Sequence, residues 1–139
     1  MFKVVKSVPW RANEYPITIA ELRSASKEMD RIMSEDEKQK LIDCLAFHPE
    51  CGDIIPGTHG VRKYRWLFRD KGKSNGLRVI YYYHDLNMPL YILAVYSKGD
   101  ILRLTKREET EMGKLVKVLV KEHAQRNLSR VTTARGESA

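Results

Sequence analysis

Three short segments rich in β-branched and aromatic residues follow one another between residues 62 and 97, and they constrain the fold more than any other feature of the chain. The segments cover residues 62–68, 77–84 and 90–97, and the residues between them favour turns: RDKGKSNG first, then Asp85, Asn87 and Pro89. Segments of this length that are rich in Val, Ile, Tyr and Trp predict β-strands, and connections this short join antiparallel neighbours. The sequence therefore predicts a three-stranded antiparallel meander. Apolar residues occupy both alternating positions of its last two strands.

Three helices are predicted from a serine or threonine that is followed three residues later by glutamate, the pattern of a capping box. The pairs are Thr18 with Glu21, Ser34 with Glu37, and Thr105 with Glu108. Apolar residues recur at helical spacing after each pair: Leu22, Ala25, Met29, Ile32 and Met33 in the first helix, Leu41, Ile42, Leu45 and Ala46 in the second, and Met112, Leu115, Val116, Leu119 and Val120 in the third. The second helix is predicted to end at His48 and Pro49.

These elements predict an α+β fold, in which two N-terminal helices and a C-terminal helix pack on one face of a small antiparallel sheet. The opposite face would be free to bind a ligand. A short strand is predicted between Phe2 and Val8. Residues 1–126 form a single predicted domain, and the tail of residues 127–139, NLSRVTTARGESA, has no periodicity and is predicted to be disordered.

Positive charge is concentrated in the first two strands and the loop between them. The whole chain has a formal net charge of +7, and residues 61–78 contain seven cations and one carboxylate, a net charge of +6. Strand alternation places Lys63 and Arg65 on one face and Tyr64 and Trp66 on the other. A solvated basic edge strand would also carry such charge. However, the crowding of like charges is relieved by an anionic ligand, so the pattern favours binding of nucleic acid.

Other classes of site are not supported by the sequence. The loop after Phe68 lacks the GxxxxGK[ST] pattern of a phosphate-binding loop, and it joins two strands. Cys44, His48, Cys51 and His59 have a spacing that matches no standard zinc pattern, so neither a metal nor a cofactor is predicted. No apolar run approaches the roughly 18 residues of a membrane span, and the N-terminal residues lack a signal-peptide pattern, so a cytoplasmic location without membrane association is predicted.

Residues 41–100 resemble the HigB-like toxins of the RelE/ParE superfamily, the toxic components of bacterial type II toxin–antitoxin modules. The segments that carry the resemblance are HPECGDIIPGTHGVRKYR, GLRVIYYY and YILAVYSKGD. The resemblance implies a compact fold related to small microbial ribonucleases. It also implies cleavage of mRNA in the ribosomal A site, neutralisation by a cognate HigA-like antitoxin, and a bacterial cytoplasmic location.

The resemblance implies catalytic roles for a set of basic residues and one tyrosine: Lys63, Arg65, Arg78, Tyr96 and Lys98. The charge and aromatic patterns add a predicted RNA-binding set: Arg62, Arg69, Lys71, Lys73 and Tyr82. The chain departs from many RelE-type enzymes at Gly99-Asp100, where they have a further arginine, and it lacks their later tyrosine. The resemblance therefore does not identify the group that protonates the leaving oxygen.

The predicted reaction is metal-independent attack of the RNA 2′-hydroxyl on the adjacent phosphate. Neighbouring positive charge disfavours the ammonium form of a lysine, which makes Lys63, Lys71 or Lys73 the candidate base. Arg78 and Arg65 would stabilise the pentavalent phosphorus, and Tyr96 or Lys98 would donate the proton. Two alternatives remain open at this point: a non-cleaving module that binds RNA or the ribosome, and a ParE-like toxin that inhibits DNA gyrase.

Overall fold

A computed structural model describes residues 16–67, 76–97 and 104–138 of the chain. Its elements are β1 (Ile19–Glu21), α1 (Arg23–Ile32), α2 (Glu35–Phe47), β2 (Asp53–Ile54), β3 (Val61–Leu67), β4 (Gly76–Tyr82), β5 (Leu90–Ser97) and α3 (Lys106–Ser138). The α+β class is confirmed. The strand predicted between Phe2 and Val8 lies outside the described residues.

The five strands form one mixed sheet in the order β1-β5-β4-β3-β2. β3, β4 and β5 pair with one another in antiparallel order, which confirms the predicted meander. β2 adds an antiparallel neighbour to β3 at one edge. At the other edge β1 runs parallel to β5, so the prediction of a purely antiparallel sheet is wrong.

The first predicted helix start is also wrong, because α1 begins at Arg23 rather than after Thr18. The backbone before α1 is extended along β5: Leu90 N donates to Thr18 O at 2.9 Å, and Leu22 N donates to Ile92 O at 3.0 Å. In a helix that began after Thr18, Leu22 N would donate to Thr18 O, but in the structure both groups pair with β5 instead.

The other two capping boxes behave differently from each other. Thr105 and Glu108 form the complete reciprocal pair, with Thr105 N donating to Glu108 Oε1 at 2.9 Å and Glu108 N donating to Thr105 Oγ1 at 3.1 Å. At α2 only half of the box forms, because Ser34 Oγ accepts from Glu37 N while the Glu37 carboxylate turns inward. There it accepts a hydrogen bond of 3.0 Å from Trp66 Nε1, which links α2 to β3.

The helices pack on both faces of the sheet, so the prediction that they cover one face is wrong. One apolar cluster contains Met29 of α1, Leu41 of α2 and Val79 of β4. A second cluster contains Ile80 of β4 and Val116 of α3. Because β4 and β5 are apolar at both alternating positions, each face buries surface only if a helix covers it. We call these the α1–α2 face and the α3 face.

α3 has 33 residues and is therefore about 50 Å long. Its helical backbone continues through residues 127–138, and the disordered tail stays a prediction. Extending a helix that is already formed adds one hydrogen bond per residue without a new nucleus, and this favours continuation past the packed part.

The Tyr81 hydroxyl fixes the segment between α2 and β2. It donates to Pro49 O and accepts from Gly52 N, both at 2.8 Å, and the tyrosine is completely buried. Gly52 has no room for a side chain, since a Cβ there would lie 2.7 Å from Lys63 O and 2.9 Å from the Tyr81 ring. This close approach holds β2 against β3.

Gly52→Ala is therefore expected to lower the free energy of unfolding by about 2–3 kcal/mol, because backbone and ring must both shift to admit the methyl group. Gly76→Ala is the matched control, since its Cβ would meet nothing closer than the Leu67 side chain at 3.4 Å. Urea unfolding of both variants measures the difference. Equal stability of the two variants would contradict the packing described at Gly52.

Candidate nucleic-acid interface

Two arginines and a tyrosine stand directly opposite one another on three neighbouring strands. Arg65 of β3 pairs with Arg78 of β4, and Arg78 pairs with Tyr96 of β5. Directly opposed residues of antiparallel strands point to the same face, and the two-residue period of β3 places Lys63 on that face as well. We call Lys63, Arg65, Arg78 and Tyr96 the basic row.

The basic row lies on the α3 face. Ile80 has the same strand parity as Arg78 and packs in the α3 cluster, whereas Tyr64 and Trp66 pack in the cluster of the α1–α2 face. The predicted separation of Lys63 and Arg65 from these two aromatic residues is confirmed. The accessible part of the row is cationic, since Lys63 and Arg65 are exposed while Arg78 and Tyr96 are half-buried.

The cations of the basic row have no carboxylate at ion-pair distance among the residues that the structure describes. Cations on the α1–α2 side contrast with them: Arg62 pairs with Glu50 at 3.7 Å, and Lys38 pairs with Asp30 at 2.9 Å. Side chains directly opposite in a sheet have Cβ atoms about 5 Å apart, and like charges at that separation destabilise the pairing. An anion bound between the arginines would remove this repulsion.

The Arg65 side chain extends toward the start of β4. A Cβ built at Gly76 would lie 3.9 Å from Arg65 Nε, an ordinary van der Waals distance, so the guanidinium group lies beside the Gly76 backbone.

The first turn of α3 brings a carboxylate near the row. Tyr96 packs in the same cluster as Leu104 and Met112, which flank this turn. Burial, and to a smaller extent the negative charge of Glu108, raise the pKa of Tyr96. The phenol therefore stays protonated and can act as a hydrogen-bond or proton donor.

Sequence reasoning missed Glu108 as a residue of this region. The Thr105–Glu108 spacing predicts only the start of a helix. The spacing did predict the cap, but the position of the first turn of α3 near Tyr96 depends on contacts that are distant in sequence.

Two residues of the predicted RNA-binding set are apart from the accessible row. Arg62 points to the α1–α2 face and donates to the carbonyl oxygens of Glu50 at 3.2 Å and Gly52 at 2.8 Å. Tyr82 shares the α3 face but is 5% exposed, and its hydroxyl hydrogen-bonds with His84 Nδ1 at 2.9 Å. Both side chains therefore form hydrogen bonds within the protein, whereas they were predicted to contact RNA. Arg69, Lys71, Lys73 and Lys98 lie outside the described residues, and their roles stay predictions.

The two cysteines lie on the α1–α2 side of the sheet. Both are free thiols, with Cys44 Sγ 4.0 Å from the Tyr64 hydroxyl and Cys51 Sγ 3.8 Å from the Tyr81 hydroxyl. A hydrogen bond from the Cys51 thiol lowers the pKa of Cys44, and the same contact raises the pKa of Cys51. Within the described ranges, no three His, Cys, Asp or Glu side chains are grouped so that they could hold a metal ion.

No family model matches the chain. The predicted resemblance of residues 41–100 to the HigB-like toxins therefore stays a prediction from the motifs. In the part of the chain that the structure describes, no helix has both the length and the apolar character needed to cross a bilayer.

Because Tyr82 is buried, a substitution at this position can distinguish packing of its ring inside the protein from stacking of the ring on an RNA base. Tyr82→Leu is expected to destabilise the fold by about 1–3 kcal/mol and to leave the affinity for single-stranded RNA unchanged, because the ring contacts the α3 cluster. Urea unfolding and fluorescence anisotropy with a labelled RNA measure the two quantities. Lys63→Gln is the matched comparison and should do the reverse, weakening RNA binding without a loss of stability. A tenfold loss of RNA affinity in a fully stable Tyr82→Leu protein would show that the ring meets RNA.

Proposed function

We propose that this protein is the toxin of a bacterial type II toxin–antitoxin module, and that it is a ribosome-dependent mRNA endonuclease of the HigB-like, RelE/ParE kind. The observation that supports the proposal most directly is the basic row, in which Arg65 and Arg78 oppose each other without a carboxylate partner among the described residues. The fold would then be the RelE-like variant of the α+β class, related to small microbial ribonucleases. The sequence motifs of residues 41–100 support the same assignment.

The two arginines are suited to hold the scissile phosphate. A guanidinium group presents a rigid fork of N–H donors that matches phosphate oxygens, and it stays charged at every physiological pH. The phosphorus gains negative charge on its oxygens as the 2′-hydroxyl attacks, so two fixed cations stabilise the transition state more than the ground state. Arg78 is the central member of the row because it has a neighbour on each side.

The proton transfers are assigned to the two ends of the row. Lys63 is the base candidate on the exposed end, with Lys71 and Lys73 of the following loop as the other candidates. Tyr96 is the acid candidate, because its raised pKa keeps the hydroxyl protonated beside Arg78. Lys98, two residues after Tyr96, is the second acid candidate. In the proposed reaction the 2′-hydroxyl of the RNA is the nucleophile and these side chains act as acid and base, without a metal or a cofactor.

Placement of the mRNA by the ribosome would supply much of the rate. A substrate held with its 2′-hydroxyl in line with the phosphate needs less acid–base assistance than a freely rotating one. The toxin would act in the ribosomal A site in the bacterial cytoplasm, and a cognate HigA-like antitoxin would neutralise it. The exposure of Lys63 and Arg65 also fits the second candidate, a module that binds RNA or the ribosome without cleaving.

Arg78→Ala is expected to reduce cleavage of mRNA on programmed ribosomes by at least about 100-fold, because it removes a cation from the transition state. Arg23→Ala removes an exposed arginine at the start of α1 and is the matched control, which should retain full activity. Primer extension on the mRNA measures the cuts. If folded Arg78→Ala protein cuts normally, Arg78 is not in the site. If the wild-type protein binds the ribosome and never cuts, the non-cleaving candidate is correct.

Glu108→Gln is expected to move the alkaline limit of cleavage to lower pH. Glutamine can still cap α3, and removal of the negative charge lowers the pKa of Tyr96, so the acid loses its proton at a lower pH. The pH dependence of the single-turnover rate measures this shift. Glu111→Gln, at an exposed position of the same helix, is the control and should leave the profile in place. An unchanged alkaline limit in Glu108→Gln would exclude Tyr96 as the proton donor.

A further inference from the structure

A cavity of about 400 Å³ lies at the other end of the sheet from the basic row. Three separate parts of the chain line it: Thr18 before β1, the β4–β5 hairpin around Asn87, and α3 at His123 and Arg126. Ligand sites of globular proteins commonly have a volume of about 300–1,000 Å³ and form where several elements meet. This cavity therefore has the size and the setting of a small-molecule site.

The polar groups of the cavity are suited to an anion. His123 and Arg126 are three residues apart on α3 and so lie on the same side of the helix. Asn87 and Thr18 add groups that can donate hydrogen bonds, and none of the residues lining the cavity is acidic. Asp85 is the nearby hairpin carboxylate, and its Oδ1 already accepts from the backbone N–H groups of Asn87 at 2.8 Å and Met88 at 3.0 Å.

The apolar groups of the cavity indicate the rest of the ligand. Met88 lines the cavity and is 1% exposed, which makes it a buried wall, and Tyr91 adds an aromatic surface. Leu86 lines the cavity as well, although the residue is 61% exposed. The exposed leucine gives the cavity an apolar surface that a ligand could cover.

We propose that this cavity binds a small organic anion, whose carboxylate or phosphate group meets Arg126 and whose apolar body lies against Met88 and Tyr91. The guanidinium fork suits both of these anionic groups, because each offers two oxygens in one plane. Tyr91 and Tyr96 are five residues apart on β5, so the cavity and the basic row are separated by about 17 Å. The inference therefore stands independently of the proposed nuclease activity.

The test measures binding to the full chain by isothermal titration calorimetry, with benzoate and phenyl phosphate as probes. At least one of them is expected to bind, and the one that binds more tightly identifies the preferred anionic group. Benzamide has the shape of benzoate without its charge, and inorganic phosphate has the charge without the ring. Both should bind at least tenfold more weakly than the preferred probe, because each lacks one half of the recognition.

Two variants locate the binding. Arg126→Gln should weaken the preferred probe at least tenfold, whereas Lys121→Gln removes an exposed cation of α3 outside the cavity and should leave the affinity unchanged. Amide NMR shifts of Asn87, Met88 and Tyr91 on titration should report the same site. The proposal is overturned if neither probe binds, if benzamide or phosphate binds equally well, or if the two variants lose affinity equally.

Discussion

The opposition of Arg65 and Arg78 across β3 and β4 is the constraint from which the proposed site follows. Two like charges face each other there, and the sheet keeps this arrangement because its other face fixes the register. Tyr64 pairs with Val79, and both pack in the cluster of the α1–α2 face. A slip of one residue would turn Tyr64 away from the cluster that it completes with Val79. Packing on one face thus holds the arginines together on the other.

α3 determines which part of the opposite face remains accessible. Its packed residues, among them Val116 and Leu119, cover the part of the sheet near Ile80 and Tyr82. Beyond this covered part, two cations of the basic row on β3 are exposed, Lys63 and Arg65. The same helix brings the Glu108 carboxylate near Tyr96 at one end of the sheet and lines the anion-suited cavity farther along. One helix therefore shapes two separate regions of the α3 face.

Features that depend on neighbours in sequence could be predicted, and features that depend on distant partners could not. The two-residue period of a strand is local, so the separation of Lys63 from Tyr64 was predictable, as were the three strands of the meander and the Thr105–Glu108 cap. The helix start after Thr18 was mispredicted because its backbone hydrogen bonds go to β5, about 70 residues later in the chain. The prediction that helices cover only one face was wrong, although β4 is apolar at both alternating positions and this pattern already indicated that both faces are buried. The position of Glu108 near Tyr96 has no local signal at all.

We propose that the concentrated positive charge of the α3 face binds and distorts a ribose–phosphate chain on the ribosome. Induction of the gene without the proposed antitoxin in a bacterial host, followed by transcriptome-wide mapping of mRNA 5′ ends, tests this claim most directly. The account predicts new 5′ ends inside translated regions that keep a constant phase relative to codons, and none in untranslated RNA. Intact messages in cells that make the folded protein, or cuts without any relation to the reading frame, would contradict it.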